Sequence, residues 1–137
     1  MIINGTIEYN NNGVLTQEPV TIDTAKPFNS NKKVADAIAF ALFGKTIFDE
    51  IILAERGVPL ITLQISCNGK NIQIGRQPQY NRTTALGNTY PTTALFYFSD
   101  GRVNAESMSS EEYYGLLSKH IDMSYLEFST YCKHGNP

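Results

Sequence analysis

The segment from Lys33 to Phe43 constrains the fold of this chain more than any other part of its sequence. Apolar residues recur there at the spacing of one helix face, namely Val34, Ala37, Ile38, Ala41 and Leu42. The opposite face is also apolar, through Ala35, Ala39 and Phe40. Asp36 is the only acid, and Gly44 follows as a residue suited to end a helix. The pattern predicts a helix that is buried on most sides.

Alternating residues on either side of this helix predict strands. Ile2–Tyr9 alternates and is followed by an Asn-rich turn that ends at Gly13, so Val14–Ile22 is the expected partner strand. Pro19 lies within that partner, which predicts an edge strand or a bulge. Leu60–Cys67 is a further strand, whose Ile61, Leu63 and Ile65 should face Ile38 and Leu42 of the helix.

Asn-Gly and Asp-Gly pairs predict two further hairpins. Asn68-Gly69 should join Leu60–Cys67 to a strand at Asn71–Gly75, and Asp100-Gly101 should join Thr93–Phe98 to Arg102–Ala105. Ile47–Ala54 is an apolar run that fits either a strand or a helix.

Gln77–Tyr90 is polar and punctuated by Pro and Gly, so we expect a mobile surface loop. A candidate partner or phosphate contact lies around it, formed by Arg76, Tyr80 and Arg82.

Two capping boxes predict short helices near the C-terminus. Ser109 with Glu112 should open a helix that runs to about His120, and Ser124 with Glu127 should open the last one. The resulting fold class is α/β with an α+β tendency. We expect a mixed, largely antiparallel sheet packed on one buried helix, within a single domain that spans residues 1–137.

Composition excludes several kinds of site and partner. The net charge of −2 does not indicate nucleic-acid binding, although a DNA-contacting face remains an alternative. Cys67 and Cys132 are expected to be reduced thiols, and they do not combine with His120 or His134 at the spacing of a zinc site. No apolar run is long enough for a membrane span and no signal peptide is visible, so we expect a cytoplasmic protein. We predict no catalytic residue, no metal and no cofactor.

The C-terminal helices are crowded with aromatic residues, which are favoured in the cores of protein interfaces. The candidate interface residues are Tyr113, Tyr114, Tyr125, Phe128 and Tyr131. Ordinary packing in the core of the chain explains the same residues equally simply.

The segment from Val34 to Lys45 resembles the helix that follows the Walker A loop in SMC, SbcC and related coiled-coil ATPases, where the pattern reads roughly G-K-S-x-x-x-D-A-I-x-F-A-L-F-G. The Asn-Gly-Lys hairpin with Arg76 at its end, the Asp100-Gly101 hairpin and the segment Leu117–Gly135 follow in the family's order. The resemblance covers nearly the whole chain and is nearest to the large subunit of the T-even-phage-type recombination nuclease. It implies the N-terminal half of an ABC-type ATPase head, and an origin in a phage or mobile element, hence the host cytoplasm.

The chain departs from the family where nucleotide would bind. Counting back from Asp36, the Walker lysine falls on Asn31 and the hydroxyl residue on Lys32, while the glycines fall on Phe28 and Ser30. A slip of one residue places Lys32 and Lys33 at the lysine and hydroxyl positions and restores no glycine. The residues in this degenerate nucleotide loop are Asn29, Ser30, Asn31, Lys32 and Lys33.

Two further departures concern the rest of the head. The family's Q-loop glutamine is replaced by His134, and its Walker B and signature motifs belong to a C-terminal half that this sequence does not contain. Because a phosphate cradle needs glycine conformations and Mg²⁺ needs the hydroxyl, we expect no ATP hydrolysis.

The resemblance implies a non-catalytic binding module. It would bind or inhibit an SbcC- or SMC-like ATPase or a related defence or DNA-repair complex, as a homodimer or a hetero-complex. The alternatives are a subunit supplied in trans to a DNA-end-processing recombination nuclease, or a decayed fragment that still folds. Without a C-terminal lobe, a sheet edge and apolar surface should be left for such partners.

Overall fold

The computed structural model describes residues 1–11, 14–50, 59–79, 81–101, 104–105 and 108–134. Its elements in chain order are β1 (Ile2–Asn11), β2 (Val14–Asp23), α1 (Lys32–Phe43), β3 (Pro59–Cys67), β4 (Lys70–Gln77), β5 (Asn81–Thr83), β6 (Thr89–Pro91), β7 (Leu95–Ser99), β8 (Asn104–Ala105), α2 (Ser110–His120) and α3 (Tyr125–His134). None of these helices combines the length and the apolar character that a membrane span requires.

The main sheet has six strands in the order β2-β1-β3-β4-β7-β8. Every neighbouring pair that the structure describes in it is antiparallel, so the expectation of a mixed sheet is corrected to an antiparallel one. The fold therefore combines an antiparallel sheet with three described helices. One face of the sheet carries the core residues Ile3, Ile7, Ile61, Leu63, Ile65 and Ile74. The other face carries exposed polar residues, such as Gln64 and Gln73, as is usual for antiparallel sheets.

Gly5 lets β1 lie close between two neighbouring strands. A Cβ atom at this position would stand 2.0 Å from the carbonyl oxygen of Thr62 in β3. That distance is well inside van der Waals contact with backbone, which cannot move aside cheaply. The glycine in the middle of the predicted strand is thus required by the packing of β1 against β3.

The expectation for the second strand is confirmed in its edge form. β2 is the outer strand of the sheet, and it pairs with β1 in continuous register from Asp23 to Val14. Pro19, which cannot donate to a ladder, is accommodated in this edge strand without a bulge.

The predicted turn at Asn68-Gly69 is confirmed, with positive φ angles of 53° and 77°. These values fit the type I′ turn that Asn-Gly favours in two-residue hairpins. The hairpin around Asp100-Gly101 is also present, because β7 pairs with β8 through Phe98 and Ala105.

Helix α1 is the centre of the core. Every residue from Val34 to Leu42 is buried, which confirms the expectation of a helix buried on most sides. Gly44 ends the helix at φ 74°, and its N–H donates to the carbonyl of Phe40 at 2.9 Å. Ile38 and Leu42 lie in the core cluster with the inward residues of β3, as predicted.

One region differs from its predicted structure, and another lies partly outside the described residues. Gln77–Tyr90 was expected to be irregular, but the described part includes β5 and part of β6, which form a separate small antiparallel sheet. Hydrogen bonding between Thr84 and Asn88 closes this hairpin. Half of Ile47–Ala54 lies outside the described residues, and residues 47–50 form neither helix nor strand.

Both capping boxes open helices at the predicted positions. The Ser109 hydroxyl accepts the N–H of Glu112 at 3.2 Å, and α2 ends at His120. Ser124 and Glu127 bond reciprocally: each backbone N–H donates to the other side chain at 3.1 Å. The cap residues of these helices were thus readable from sequence.

Candidate functional site

The degenerate nucleotide loop connects β2 to α1. Asn29, Ser30 and Asn31 are exposed and outside regular structure, whereas Lys32 and Lys33 are the first residues of α1. The strand that would enter a phosphate loop is not found here, since β2 ends at Asp23 as the edge of the antiparallel sheet.

Asn31 caps the start of α1 with its own side chain. Its backbone is extended, at φ −91° and ψ 171°, and its Oδ1 atom accepts the N–H of Val34 at 2.9 Å. Its Nδ2 atom donates to Oε1 of Glu18 at 2.7 Å. One of the helix N-terminal donors that could face a phosphate is therefore occupied by the chain itself.

The backbone of this loop does not form an anion-binding nest. The αR-αL form of such a nest includes a left-handed residue, and between Asp23 and Lys33, all of which the structure describes, every φ is negative. The two lysines lie over aromatic rings instead. The Nζ atom of Lys32 is 5.3 Å from the ring centroid of Phe48, and that of Lys33 is 5.8 Å from the ring centroid of Tyr9.

Helix α3 contacts this loop through the side chain of Tyr131. The Tyr131 hydroxyl donates to the carbonyl of Lys26 at 2.8 Å and lies 3.2 Å from that of Asp23. The ring of Phe28 meets the Tyr131 ring edge-on at 5.8 Å. Burial, with the nearby Cys132 and Asp23, raises the pKa of Tyr131. The loop is therefore tied to the C-terminal helix and is not held open for a ligand.

Asp36 is fully buried within α1 and binds backbone donors of the following loop. Its Oδ1 atom accepts the N–H of Ile47 at 2.6 Å and of Phe48 at 2.7 Å, and Oδ2 accepts the N–H of Glu50 at 2.5 Å. Asp49, between these donors, takes a positive φ of 56° that turns the backbone around the carboxylate. The chain thus builds an anion-binding turn and fills it with its own side chain.

We call the Asp36 carboxylate and its three backbone donors the Asp36 cage. It was not predicted from the sequence, although a signal was present. A lone acid on a helix that is apolar all round must be buried, and a buried carboxylate requires hydrogen-bond donors. The donors could not be identified, because residues 47–50 have no periodic pattern. The effect reaches α3, where burial first and the Asp36 carboxylate second raise the pKa of the Cys132 thiol to about 12.

Arg76 is a buried cation that stacks between two rings. Its guanidinium carbon is 4.4 Å from the ring centroid of Phe40 and 4.0 Å from that of Phe96. Nη1 donates to the carbonyl of Gln77 at 2.6 Å, and Nε lies 3.4 Å from the hydroxyl of Tyr114. Among the described residues no carboxylate pairs with it. Arg76 thus joins β4 and β7 to the helices.

The predicted contact around Arg76 includes two further side chains. Tyr80 and the side chain of Arg82 lie outside the described residues. With only 7% of its surface exposed, Arg76 offers little area to a phosphate or a partner in this conformation.

The candidate interface aromatics divide into two groups. Tyr113, Phe128 and Tyr131 are buried in the core of the chain, and the Tyr113 hydroxyl donates to the carbonyl of Ala41 at 2.7 Å. Tyr114 and Tyr125 are half-buried and keep part of their surface outside. Tyr125 donates to the carbonyl of Thr46 at 2.6 Å. Only this second group presents surface to a partner in the described conformation.

The histidines and cysteines do not come together. His134 is exposed at the end of α3, while His120 packs on Phe98 and lies 3.5 Å from Asp100. Cys67 and Cys132 are free and buried, and no group of three metal-ligating side chains occurs within the described ranges. Hydrogen bonds from Asn68 and then Cys67 lower the pKa of Asp122.

Comparisons with models of protein families, with curated proteins and with solved structures found no match to this chain.

Proposed function

We propose that this chain is a non-catalytic protein-binding module that mimics the N-terminal lobe of an SMC/SbcC-type ATPase head. In this proposal it is encoded by a phage or mobile element and binds or inhibits such an ATPase, or a related defence or DNA-repair complex, in the host cytoplasm. The likeness to that family rests on the segment around α1 and on the order of the later hairpins.

One observation carries the non-catalytic part of the proposal. The start of α1 is capped by Asn31, and the loop before it holds no left-handed residue that would turn its amides towards phosphate. A P-loop binds phosphate with such amides and holds Mg²⁺ with a hydroxyl, and here lysines stand at the hydroxyl position in either alignment.

The binding part of the proposal is supported by an edge strand that carries exposed apolar side chains. β2 is an edge of the main sheet, and its Val14 and Leu15 are 63% and 59% exposed. Edge strands and exposed apolar side chains are surfaces that partners use. A head-like lobe with such an edge can add to the sheet of a true head or occupy its place.

The proposal is tested on a purified SbcC- or SMC-type ATPase from the same host. We expect the chain to lower the rate of ATP hydrolysis, with the effect saturating near one copy per head. A change of Val14 and Leu15 to Ser should weaken the effect, while Leu86→Ser, at a still more exposed residue outside β2, should not. If the chain neither inhibits nor binds any such head, the proposal is contradicted. Stimulated hydrolysis would instead favour a subunit supplied in trans.

A further inference from the structure

An apolar groove lies where the end of α1 meets the connection between α2 and α3. Its volume is about 550 Å³. Phe43 and Met123 contribute apolar surface to it, and Lys45 and Glu127 also line it. We call it the C-terminal groove. It lies near the opposite end of α1 from the degenerate nucleotide loop.

An exposed leucine stands beside this groove. Leu126 is 74% exposed on the first turn of α3, and both of its neighbours, Tyr125 and Glu127, line the groove. Leu126 lies beside the groove of its own chain and does not fill it. The Leu126 side chain of a second molecule can fill that groove.

The groove carries one positive side chain, Lys45, and two carboxylates, Glu127 and Asp122, of which Asp122 accepts a hydrogen bond from Asn68 of its own chain. Lys45 and Glu127 have opposite signs, and within the described residues neither forms an ion pair in its own chain. The Nζ atom of Lys45 lies 5.2 Å from the Tyr125 ring centroid, and Glu127 accepts the N–H of Ser124. In a twofold interface the same surface meets itself, so each lysine can face the glutamate of the other copy.

We propose that the C-terminal groove is the contact surface of a symmetric homodimer of this chain. Leu126 of each copy enters the groove of the other, and Lys45 pairs with Glu127 of the partner subunit. This inference rests on the proposal that the chain acts through protein contacts. It needs no ATPase for its test, so it can fail while binding to an ATPase head survives.

Charge exchange between two variants tests the pairing directly. Lys45→Glu and Glu127→Lys should each place like charges opposite one another and raise the dimer dissociation constant roughly tenfold or more. In an equimolar mixture of the two variants, each glutamate at position 45 meets a lysine at position 127 and each lysine meets a glutamate. At a concentration where the original chain is a dimer, sedimentation equilibrium should therefore show each variant alone shifted towards monomer and the mixture as a heterodimer.

Two controls separate loss of the interface from loss of fold. Ser124→Ala removes the same helix cap that Glu127→Lys disturbs but keeps both charges, so it should still dimerise. Leu126→Ser alters an exposed side chain, so it should keep the circular dichroism of the original chain and weaken the dimer. A monomeric original chain at high concentration, or a dimer that none of these changes affects, would overturn the proposal. A mixture no more associated than its components would also overturn it.

Discussion

The two ends of α1 differ in what the chain has built around them. At the first end, Asn31 caps the helix with its own side chain, and the surrounding residues are exposed and carry two lysines. At the other end, Gly44 closes the helix against Tyr114, and the hydroxyls of Tyr113 and Tyr125 bond to the backbone around it. In a nucleotide-binding head the first end would hold the ligand. Here the first end is closed by the Asn31 cap and by the contact of Tyr131 with the loop before it, and the surface left open lies at the second end.

The largest effect is expected from Leu42, near the second end. Leu42→Ala should cost roughly 2–5 kcal/mol of unfolding free energy, because it leaves a cavity in the core. Leu86→Ala makes the same chemical change at a residue that is 88% exposed and should cost little. Urea denaturation measures both. A loss below about half a kcal/mol for Leu42→Ala would mean that this helix face is not core.

The Asp36 cage should follow closely in size. Asp36→Ala removes the acceptor of three backbone N–H groups and should cost about 2–4 kcal/mol, since hydrogen bonds to a charged acceptor are among the stronger ones. Asp36→Asn keeps one carbonyl oxygen and should cost less. Hydrogen exchange should also become faster at the amides of Ile47 and Phe48. Unchanged exchange there would contradict the cage.

A smaller effect is expected at the first end of α1. Asn31→Ala should cost about 1 kcal/mol, the usual loss for an N-cap. Asn29→Ala, at an exposed neighbour outside the helix, is the matched control. If Asn31→Ala cost as much as Asp36→Ala, the contrast between a cap made within the first turn of α1 and a carboxylate bound by a separate loop would disappear.

A last effect appears only at alkaline pH and is absent near neutral pH. Burial, and then Asp36, raises the pKa of the Cys132 thiol from 9.0 to about 12, so the folded state holds this proton where the unfolded state releases it. Stability should therefore be complete below pH 9.0 and fall as the pH rises from there towards about 12. Cys132→Ala should reduce that slope when unfolding is followed at several pH values. An identical slope would show that other groups, such as Tyr9, dominate.

Sequence patterns predicted the elements that local chemistry determines. The helix around Ile38, its end at Gly44 and both capping boxes follow from periodicity and from residues a few positions apart. The antiparallel pairing of β5 with β6 was missed, because short polar strands have no apolar alternation.

The contacts that organise the candidate site are long-range and could not be predicted in this way. Asp36 meets a loop with no regular pattern, and Arg76 stacks between Phe40 of α1 and Phe96 of β7. Sequence indicated that Asp36 is an unusual residue in an apolar helix, but it did not indicate its partners. The burial of Tyr113, Phe128 and Tyr131 likewise depends on how α2 and α3 pack on α1.

The most direct test of the account is titration of the protein with Mg-ATP by calorimetry. A chain whose helix N-terminus is capped by Asn31 and lacks a phosphate nest should give no binding heat at micromolar concentrations. Phe28→Gly together with Ser30→Gly should not by itself create affinity for Mg-ATP, because these changes do not supply the hydroxyl that binds Mg²⁺. Micromolar affinity of the unaltered chain for Mg-ATP would contradict the central claim that the first end of α1 does not bind nucleotide.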